Sequence, residues 1–260
     1  MDHDRRRLVL DPSSAPEFAA HLAARYVRIL LRLQRAMRPG ELFLHAAMVA
    51  SPPGVGDAGR GIAVIGPKRA GKTSTVMAAM LAGAAFVGND DLSVSRSGAG
   101  WTGHGWPRSV SVRSDTFTAL GVQLPSWSAH PARTAGPQEQ AGEAHPVMLL
   151  PSELASLLGS SAVRPSAALT GLVFPRFTPE AGDTALRELT PARTAERLRQ
   201  ERPVQVVKQA DFLLPHFPRP PLADAEEAWR AIAADVPGFE LVQSFADLPT
   251  GARHLRSIWS

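Results

Sequence analysis

The stretch from residue 66 to residue 73 constrains the fold of this chain more than any other feature of its sequence. It reads GPKRAGKT, which matches the phosphate-binding pattern G-x-x-x-x-G-K-[ST]. The two glycines lack a Cβ atom, so backbone N–H groups can turn inward around a phosphate chain. Lys72 brings a compact positive charge to the outer phosphates, and Thr73 offers a hydroxyl group to Mg²⁺. The residues that we expect to contact phosphate are Gly66, Pro67, Lys68, Arg69, Ala70, Gly71, Lys72, Thr73 and Ser74.

The segments on either side of this stretch agree with the pattern. Residues 61–65 form a short apolar run typical of a buried strand, and residues 73–82 read as a helix that ends at Gly83. The positive end of such a helix points at the bound anion. A strand, a glycine-rich loop and a helix in that order predict an α/β, P-loop-containing nucleotide-binding fold with a central mixed β-sheet flanked by helices.

Two adjacent acids, Asp90 and Asp91, follow Lys72 by about the length of one helix and one return strand. Adjacent side chains at a strand end project in different directions. One carboxylate can therefore face Mg²⁺ while the other takes the proton of an attacking hydroxyl group, as phosphoryl transfer requires. The residues alone leave open which acid has which role.

His45 lies in an apolar stretch at residues 42–49 that reads as a strand. A short hairpin joins this strand to the one before the loop. A histidine in such a place is either a hydrogen-bonded core residue or a functional group beside the phosphate loop. The sequence leaves both interpretations open.

Three stretches together resemble the catalytic domain of bacterial HPr kinase/phosphorylase and its kinase-like relatives. They are LHAAMV around His45, GPKRAGKT in the loop, and VGNDD ending at Asp91. The resemblance spans about residues 41–91 and continues more weakly at 105–108 and 173–176. It implies a fold like the C-terminal domain of HPr kinase.

The resemblance also implies roles for individual residues. Asp90 would be the general base, while Asp91 and Thr73 would hold Mg²⁺. His45 would support the nucleotide phosphates, and Arg176 would stabilise the charge of the transferred group. The catalytic candidates are therefore Asp90, Lys72, His45 and Arg176, and the metal-ligand candidates are Thr73 and Asp91.

These observations predict an ATP- and Mg²⁺-dependent kinase that transfers the γ-phosphate to an alcohol group of a peptide Ser/Thr or of a small metabolite. Relatives with only the catalytic domain resemble tailoring kinases of biosynthetic pathways. HPr itself is not the expected acceptor, because the HPr kinase segment L-x-x-R-G-x-G is not found after Arg108. The alternative is an ATP-binding regulatory module without transferase activity. A GTPase is disfavoured, since the chain has no guanine-reading N-K-x-D.

The composition excludes several other classes of protein. The chain of 260 residues contains no Cys, so it has neither disulfides nor thiolate metal sites. Its net charge is +4, but basic and acidic residues are interspersed and aromatic residues make up only 6%, so we expect no nucleic-acid partner. No run has the length and polarity of a signal peptide or a membrane helix, which predicts a cytoplasmic protein without a membrane partner. The oligomeric state stays open, a homo-oligomer included.

The pattern of elements predicts three parts of the chain. Residues 1–40 form an N-terminal helical segment, residues 41–202 form the kinase core with a mobile loop at 124–145, and residues 203–260 form a C-terminal α/β extension that packs on the core. Predicted helices lie at 14–37, from 152 onward, at 191–200 and at 223–234, and further strands lie at 84–87, 92–95, 108–113, 146–150, 169–174 and 204–207.

Overall fold

The computed structural model describes residues 16–36, 38, 40–52, 59–98, 100–106, 108–126, 146–159, 162–178, 184–201 and 222–259. The chain divides into two compact units, of which the smaller contains helix α1 (Pro16–Ala36) and the larger comprises Gly40–Val204 with Pro220–Ser260. Most of the predicted mobile loop at 124–145, and the whole predicted strand at 204–207, lie outside the described residues. The predicted division into three parts stays a prediction.

Helix α1 forms where the apolar residues recur at helical spacing, as predicted for residues 14–37. Leu33, one of its apolar residues, is buried. Arg35 lies in the last turn, where the helix dipole favours a positive charge.

Among its described residues, the larger unit combines a nine-stranded sheet, a two-stranded sheet and several helices. The strands of the large sheet are β1 (Glu41–Leu44), β2 (Ala46–Ala50), β3 (Arg60–Ile65), β4 (Ala85–Gly88), β5 (Leu92–Ser97), β6 (Gly100–Gly105), β9 (Ser166–Phe177), β10 (Ala185–Leu189) and β11 (Gly238–Gln243), and the small sheet pairs β7 (Val110–Val112) with β8 (Val147–Leu149). The helices are α2 (Lys72–Leu81), α3 (Ser114–Ala119), α4 (Pro151–Leu157), α5 (Pro191–Gln200), α6 (Leu222–Asp235), a short 3-10 helix (Phe245–Asp247) and α7 (Leu248–Trp259).

Strand directions bring several strand ends to one edge of the large sheet. Strand β2 is antiparallel to both β3 and β4, so β3 and β4 run parallel to each other with β2 between them. On the other side of β3, strand β9 is parallel to it, and β11 is parallel to β9. The carboxyl ends of β3, β4, β9 and β11 therefore meet at the edge where β2 begins.

Strand β9 is long enough to change its neighbour. Its first residues pair antiparallel with β6, as in the match of Ala168 with Thr102, and its later residues pair parallel with β11, as in the match of Leu172 with Gly238. The sheet is therefore mixed, which agrees with the predicted α/β class.

Side chains alternate along the strands, and each face of the sheet packs against its own buried cluster. Val64 of β3 faces a cluster that includes Met77 of α2 and Leu255 of α7. Its neighbour Ile65 faces the opposite cluster, which includes Trp229 of α6. Helices on both faces explain why the strand before the loop reads as a continuous apolar run.

The structure corrects the single strand predicted at residues 42–49. The chain bends at His45, so β1 ends at Leu44 and β2 begins at Ala46. Strand β1 pairs with β5, whereas β2 pairs with β3 and β4, and the bend is where the chain moves from one neighbour to the next.

Six of the described elements were not predicted, namely β6, α3, β10, β11, the 3-10 helix and α7. Pro249 and Gly251 stand in the first turns of α7, and such residues usually mark a turn in a sequence. Gly251 is instead a packing residue, because a Cβ there would overlap the side-chain amide of Gln243.

Candidate functional site

The loop between β3 and α2, residues 66–71, contains two residues with a left-handed backbone, one of them a glycine. Gly71 has φ 82° and Arg69 has φ 71°. Ala70 N–H donates to the Pro67 carbonyl oxygen at 3.2 Å, which closes the turn. Helix α2 then begins without a side-chain cap and without an acid in its first turn. Its positive end therefore has no side-chain acceptor of its own.

Both loop glycines are needed for space. A Cβ at Gly66 would lie 2.9 Å from the Ala70 Cβ, and a Cβ at Gly71 would overlap the ring of Phe177. Gly71 is also needed for conformation, since its positive φ strains any residue with a side chain. The match to the glycine pattern thus has a local steric cause.

Lys72 lies inside the loop, with only 5% of its surface exposed. Its Nζ donates to the carbonyl oxygens of Gly66 at 2.9 Å and Pro67 at 3.0 Å, and lies 3.0 Å from His45 Nε2. Burial lowers the pKa of Lys72, and the negative charges of Asp90 and Glu201 oppose that shift. The structure therefore holds an ammonium group at the centre of the loop among acceptors.

His45 links this lysine to the acids. Its Nδ1 lies 3.1 Å from the backbone oxygen of Asp90, which can only accept, so Nδ1 carries a proton and Nε2 accepts from Lys72. Burial lowers the pKa of His45, and the charge of Lys72 lowers it further. The imidazole is therefore neutral at pH 7. Of the two interpretations left open by the sequence, the structure has His45 beside the loop.

The two acids lie just after β4, and the backbone of the first is left-handed. Asp90 has φ 62°, a left-handed conformation that Asp tolerates better than most residues. Its backbone oxygen faces His45, while Asp91 is largely buried and accepts a hydrogen bond from Arg108 Nη1 at 2.9 Å. Arg108 Nη2 lies 3.9 Å from the Asp90 carboxylate.

Arg108 thus contacts both acids, a role that sequence reasoning did not give it. It lies between β6 and β7, and the only signal in the sequence was the stretch GWPR at 105–108. Gly105 brings this stretch close to β4, because a Cβ there would overlap the Val87 carbonyl group.

Thr73 and Asn89 form the remaining polar pair of the site. Thr73 Oγ1 donates to Asn89 Oδ1 at 3.3 Å. Asn89 is buried, and among the described residues its Nδ2 has no hydrogen-bond acceptor. A buried donor without a partner is costly unless a ligand or water supplies an acceptor. Beside a glycine loop and an ammonium group, this observation fits a phosphate oxygen.

The donor set also fits Mg²⁺, which prefers oxygen ligands. Thr73 supplies a hydroxyl group and Asp91 supplies a carboxylate. The described residues contain no group of three or more His, Asp or Glu side chains that could hold a metal ion. Mg²⁺ usually binds through one or two carboxylates and keeps its other positions for water and phosphate.

Three predicted site residues have contacts or exposure that do not join them to the lysine and the acids. Arg176, near the end of β9, forms its ion pair with Glu240 at 3.9 Å, and within the described part of the chain no bond joins it to the lysine or to the acids. Ser74 is buried and its Oγ lies 3.1 Å from Thr116 Oγ1 of α3. Lys68 is exposed on the outside of the loop. Within the described residues, hydrogen bonds connect Lys72 and His45 to Asp90 and connect Thr73 to Asn89 beside the acids, whereas Arg176 pairs with Glu240.

The fold and this cluster define a mixed α/β protein in which a glycine loop, a buried lysine and two acids meet at the edge of the sheet. No protein-family description and no curated protein matches the chain. Among solved structures, the Hpr(Ser) kinase/phosphatase from Coxiella burnetii is similar, with 10% sequence identity and a TM-score of 0.35, over 83% of this chain and 96% of that chain. Within the described residues, no helix is long and apolar enough to cross a membrane.

Proposed function

We propose that this chain is an ATP- and Mg²⁺-dependent P-loop kinase, with an HPr kinase-like catalytic domain, that phosphorylates a hydroxyl group. The observation that carries the proposal is the connected chain of Lys72, His45 and Asp90. The lysine is held inside the loop at 3.0 Å from the imidazole, and the imidazole bonds the residue that we propose as general base at 3.1 Å. One network thereby holds the positive charge that would contact phosphate and the backbone of the residue that we propose as the base.

The loop and its helix would bind the nucleotide phosphates. Backbone N–H groups of residues 66–74 and the uncapped start of α2 attract negative charge. Lys72 would exchange its carbonyl acceptors for phosphate oxygens, and Asn89 Nδ2 would gain the acceptor that it lacks among the described residues. Thr73 and Asp91 would hold Mg²⁺, which when bound neutralises charge on the outer phosphates.

Asp90 would accept the proton of the attacking hydroxyl group. As its O–H bond breaks, the hydroxyl oxygen forms a bond to the γ-phosphorus, and the bond from that phosphorus to the β–γ bridging oxygen breaks, so that ADP leaves. A positioned base of this kind contributes about 10²-fold to 10⁴-fold to such a rate. Arg176 keeps its predicted role in stabilising charge only if it leaves Glu240, with which it forms an ion pair at 3.9 Å.

The acceptor that we propose is a peptide Ser/Thr or a small metabolite in a biosynthetic or tailoring pathway, with neither nucleic acid nor a membrane as partner. The two acceptor classes have equal support, and the predicted mobile loop at 124–145 lies mostly outside the described residues. A cytoplasmic location is part of the same proposal.

A regulatory ATP-binding module is the second candidate, and one contact favours it. Arg108 pairs with Asp91 at 2.9 Å and so occupies the carboxylate that a kinase would need for Mg²⁺, whereas a module that transfers no phosphate does not need this carboxylate to be free. Such a module would bind ATP without transferring phosphate to any acceptor.

Labelled ATP separates the two candidates. The purified chain is incubated with γ-labelled ATP, Mg²⁺ and a cell extract divided into protein and metabolite fractions. The kinase proposal expects label in one fraction. It also expects Lys72→Ala to lower the rate of labelling by at least about 10²-fold, as for a lost charge-stabilising donor. Arg230→Ala is the control, because it removes an exposed cation of α6, outside the loop.

Three outcomes would count against the kinase. Full transfer by Lys72→Ala would contradict the role of the loop. Equal losses in both variants would point to general electrostatics. ATP binding without label in either fraction would favour the regulatory module.

A further inference from the structure

Two phenylalanines, one partly buried and one exposed, form an aromatic pair at the carboxyl edge of the sheet. Phe177 ends β9, and Phe245 begins the 3-10 helix that follows β11. Their ring centroids are 4.8 Å apart with the planes inclined by 41°. Phe245 is 43% exposed, and among the described residues it is the one aromatic side chain in the set of exposed large hydrophobic residues. An aromatic face left in water at a strand end is an available stacking surface.

This pair is continuous with the phosphate loop. The Phe177 ring fills the space beside Gly71, where an added Cβ would overlap it. Strand β9 is the parallel neighbour of β3, so the end of β9 runs alongside the start of the loop. The aromatic pair therefore borders the phosphate loop at Gly71.

The pair lies on the opposite side of the loop from the acids. Asp90 and Asp91 follow β4, which is separated from β3 by β2. Phe177 and Phe245 follow β9 and β11, which lie on the other side of β3. The loop thus has a charged side and an aromatic side. A nucleoside triphosphate has the same asymmetry, since its γ-phosphate and its flat base are at opposite ends.

We infer that Phe245, supported from behind by Phe177, is the contact surface for the base of the bound nucleotide. The inference rests on the proposed nucleotide function and adds the direction in which the nucleotide lies across the loop. Stacking of a base on an aromatic side chain tolerates any base, because every base has a π-face. This surface therefore contributes affinity and discriminates weakly between ATP and GTP.

Two probes isolate the base from the phosphates. Binding of ATP and of inorganic triphosphate, each with Mg²⁺, is measured by calorimetry on the full chain. Phe245→Ala is expected to weaken ATP binding about 10-fold, the size of one lost stacking contact, and to leave triphosphate binding unchanged. Phe245→Trp is expected to keep ATP binding, because it preserves a stacking face. Leu81→Ala is the matched control, since Leu81 is equally exposed, at 43%, at the far end of α2.

The same experiment distinguishes failure of this inference from failure of the proposed function. Unchanged ATP binding by Phe245→Ala, or equal weakening of both probes, overturns the base site. If Lys72→Ala loses both probes while Phe245→Ala keeps both, the base site alone is wrong. If Lys72→Ala binds triphosphate as tightly as the unaltered chain, the phosphate loop itself is wrong. Thermal unfolding of each variant excludes loss of fold as the cause.

Discussion

The two sides of the phosphate loop are built in different ways. On the side of β2 and β4, charged and polar groups bond one another, as Lys72 does with His45 and Arg108 with Asp91. On the side of β9 and β11, two phenylalanine rings meet by packing alone, and one of them remains exposed. The charged side must exchange its present partners to receive a ligand, whereas the aromatic side can receive one as it stands. Changes on the first side should alter chemistry, and changes on the second should alter affinity.

Gly71 belongs to both sides, so its replacement should have the largest effect. In Gly71→Ala, the new Cβ overlaps the Phe177 ring at a residue with φ 82°. The left-handed backbone alone costs about 1–2 kcal/mol for a residue with a side chain. We expect a lowered melting temperature together with loss of ATP binding, measured by calorimetry.

Gly98→Ala provides the matched control. Gly98 has φ 60° and nothing within 4 Å of an added Cβ, so it carries the backbone strain without the overlap. Gly71→Ala should therefore lower the melting temperature more than Gly98→Ala, and a second change, Phe177→Leu, should recover part of the difference. Equal shifts in the two single variants would show that the contact with Phe177 does not limit the loop.

On the charged side alone, Asp90→Asn should remove the base and leave the fold intact. Asn adopts the φ of 62° at this position without much strain, so the backbone contact with His45 persists. We expect single-turnover phosphate transfer to fall about 10²-fold or more, with ATP binding nearly unchanged.

Asp90→Ala separates the backbone from the chemistry. Ala is strained at this φ, so it should lose stability as well as transfer, by about 1–2 kcal/mol in the free energy of unfolding. If Asp90→Asn instead abolishes Mg²⁺-dependent ATP binding while Asp91→Asn loses only transfer, the two acids have exchanged roles.

The charged side was largely predictable because its residues lie in short sequence stretches that can be recognised locally. The loop, the lysine and the two acids follow from a motif, and the hairpin placed His45 beside them. The aromatic side was not predictable, because Phe177 and Phe245 are distant in the chain and meet only through the pairing of β9 with β11.

Two details of the charged side also escaped the sequence. The bend at His45 arises because β1 and β2 have different neighbours, a property of the whole sheet and not of the local residues. Arg108 reaches the acids only because Gly105 permits a close approach to β4. Long-range pairing, and not local propensity, decided both.

Arg108 tests whether the charged side must be reorganised before a metal binds. The guanidinium group lies 2.9 Å from Asp91, so it competes with Mg²⁺ for that carboxylate. In Arg108→Gln we expect the half-saturating Mg²⁺ concentration for ATP binding to fall roughly fivefold, the size of about 1 kcal/mol of ion-pair energy. Titration of Mg²⁺ at fixed ATP measures it.

Arg113→Gln is the control for this change, because Arg113 forms an exposed ion pair with Asp115 at 3.1 Å outside the acid pair. It should leave the Mg²⁺ requirement unchanged. A rise in the half-saturating concentration with Arg108→Gln would mean that the guanidinium group helps to assemble the metal site, and the idea of competition would be wrong.

The smallest effect is expected from the buried bond that ties α2 to β11. Gln243 Nε2 donates to Thr75 Oγ1 at 2.7 Å, and both residues are buried. Thr75→Val removes the acceptor and leaves a buried amide without it, at a cost of about 1 kcal/mol in the free energy of unfolding. Urea unfolding measures this cost.

The double variant Thr75→Val with Gln243→Leu decides what the bond contributes. When both partners become apolar, most of the cost should disappear, because no buried polar group is then left unmatched. Since Gln243 precedes the 3-10 helix that carries Phe245, a loosened bond that weakened ATP but not triphosphate binding would show that β11 positions the aromatic side. If Thr75→Val leaves the affinities for ATP and for triphosphate unchanged, the aromatic side is held by its own packing, in keeping with the contrast between the two sides.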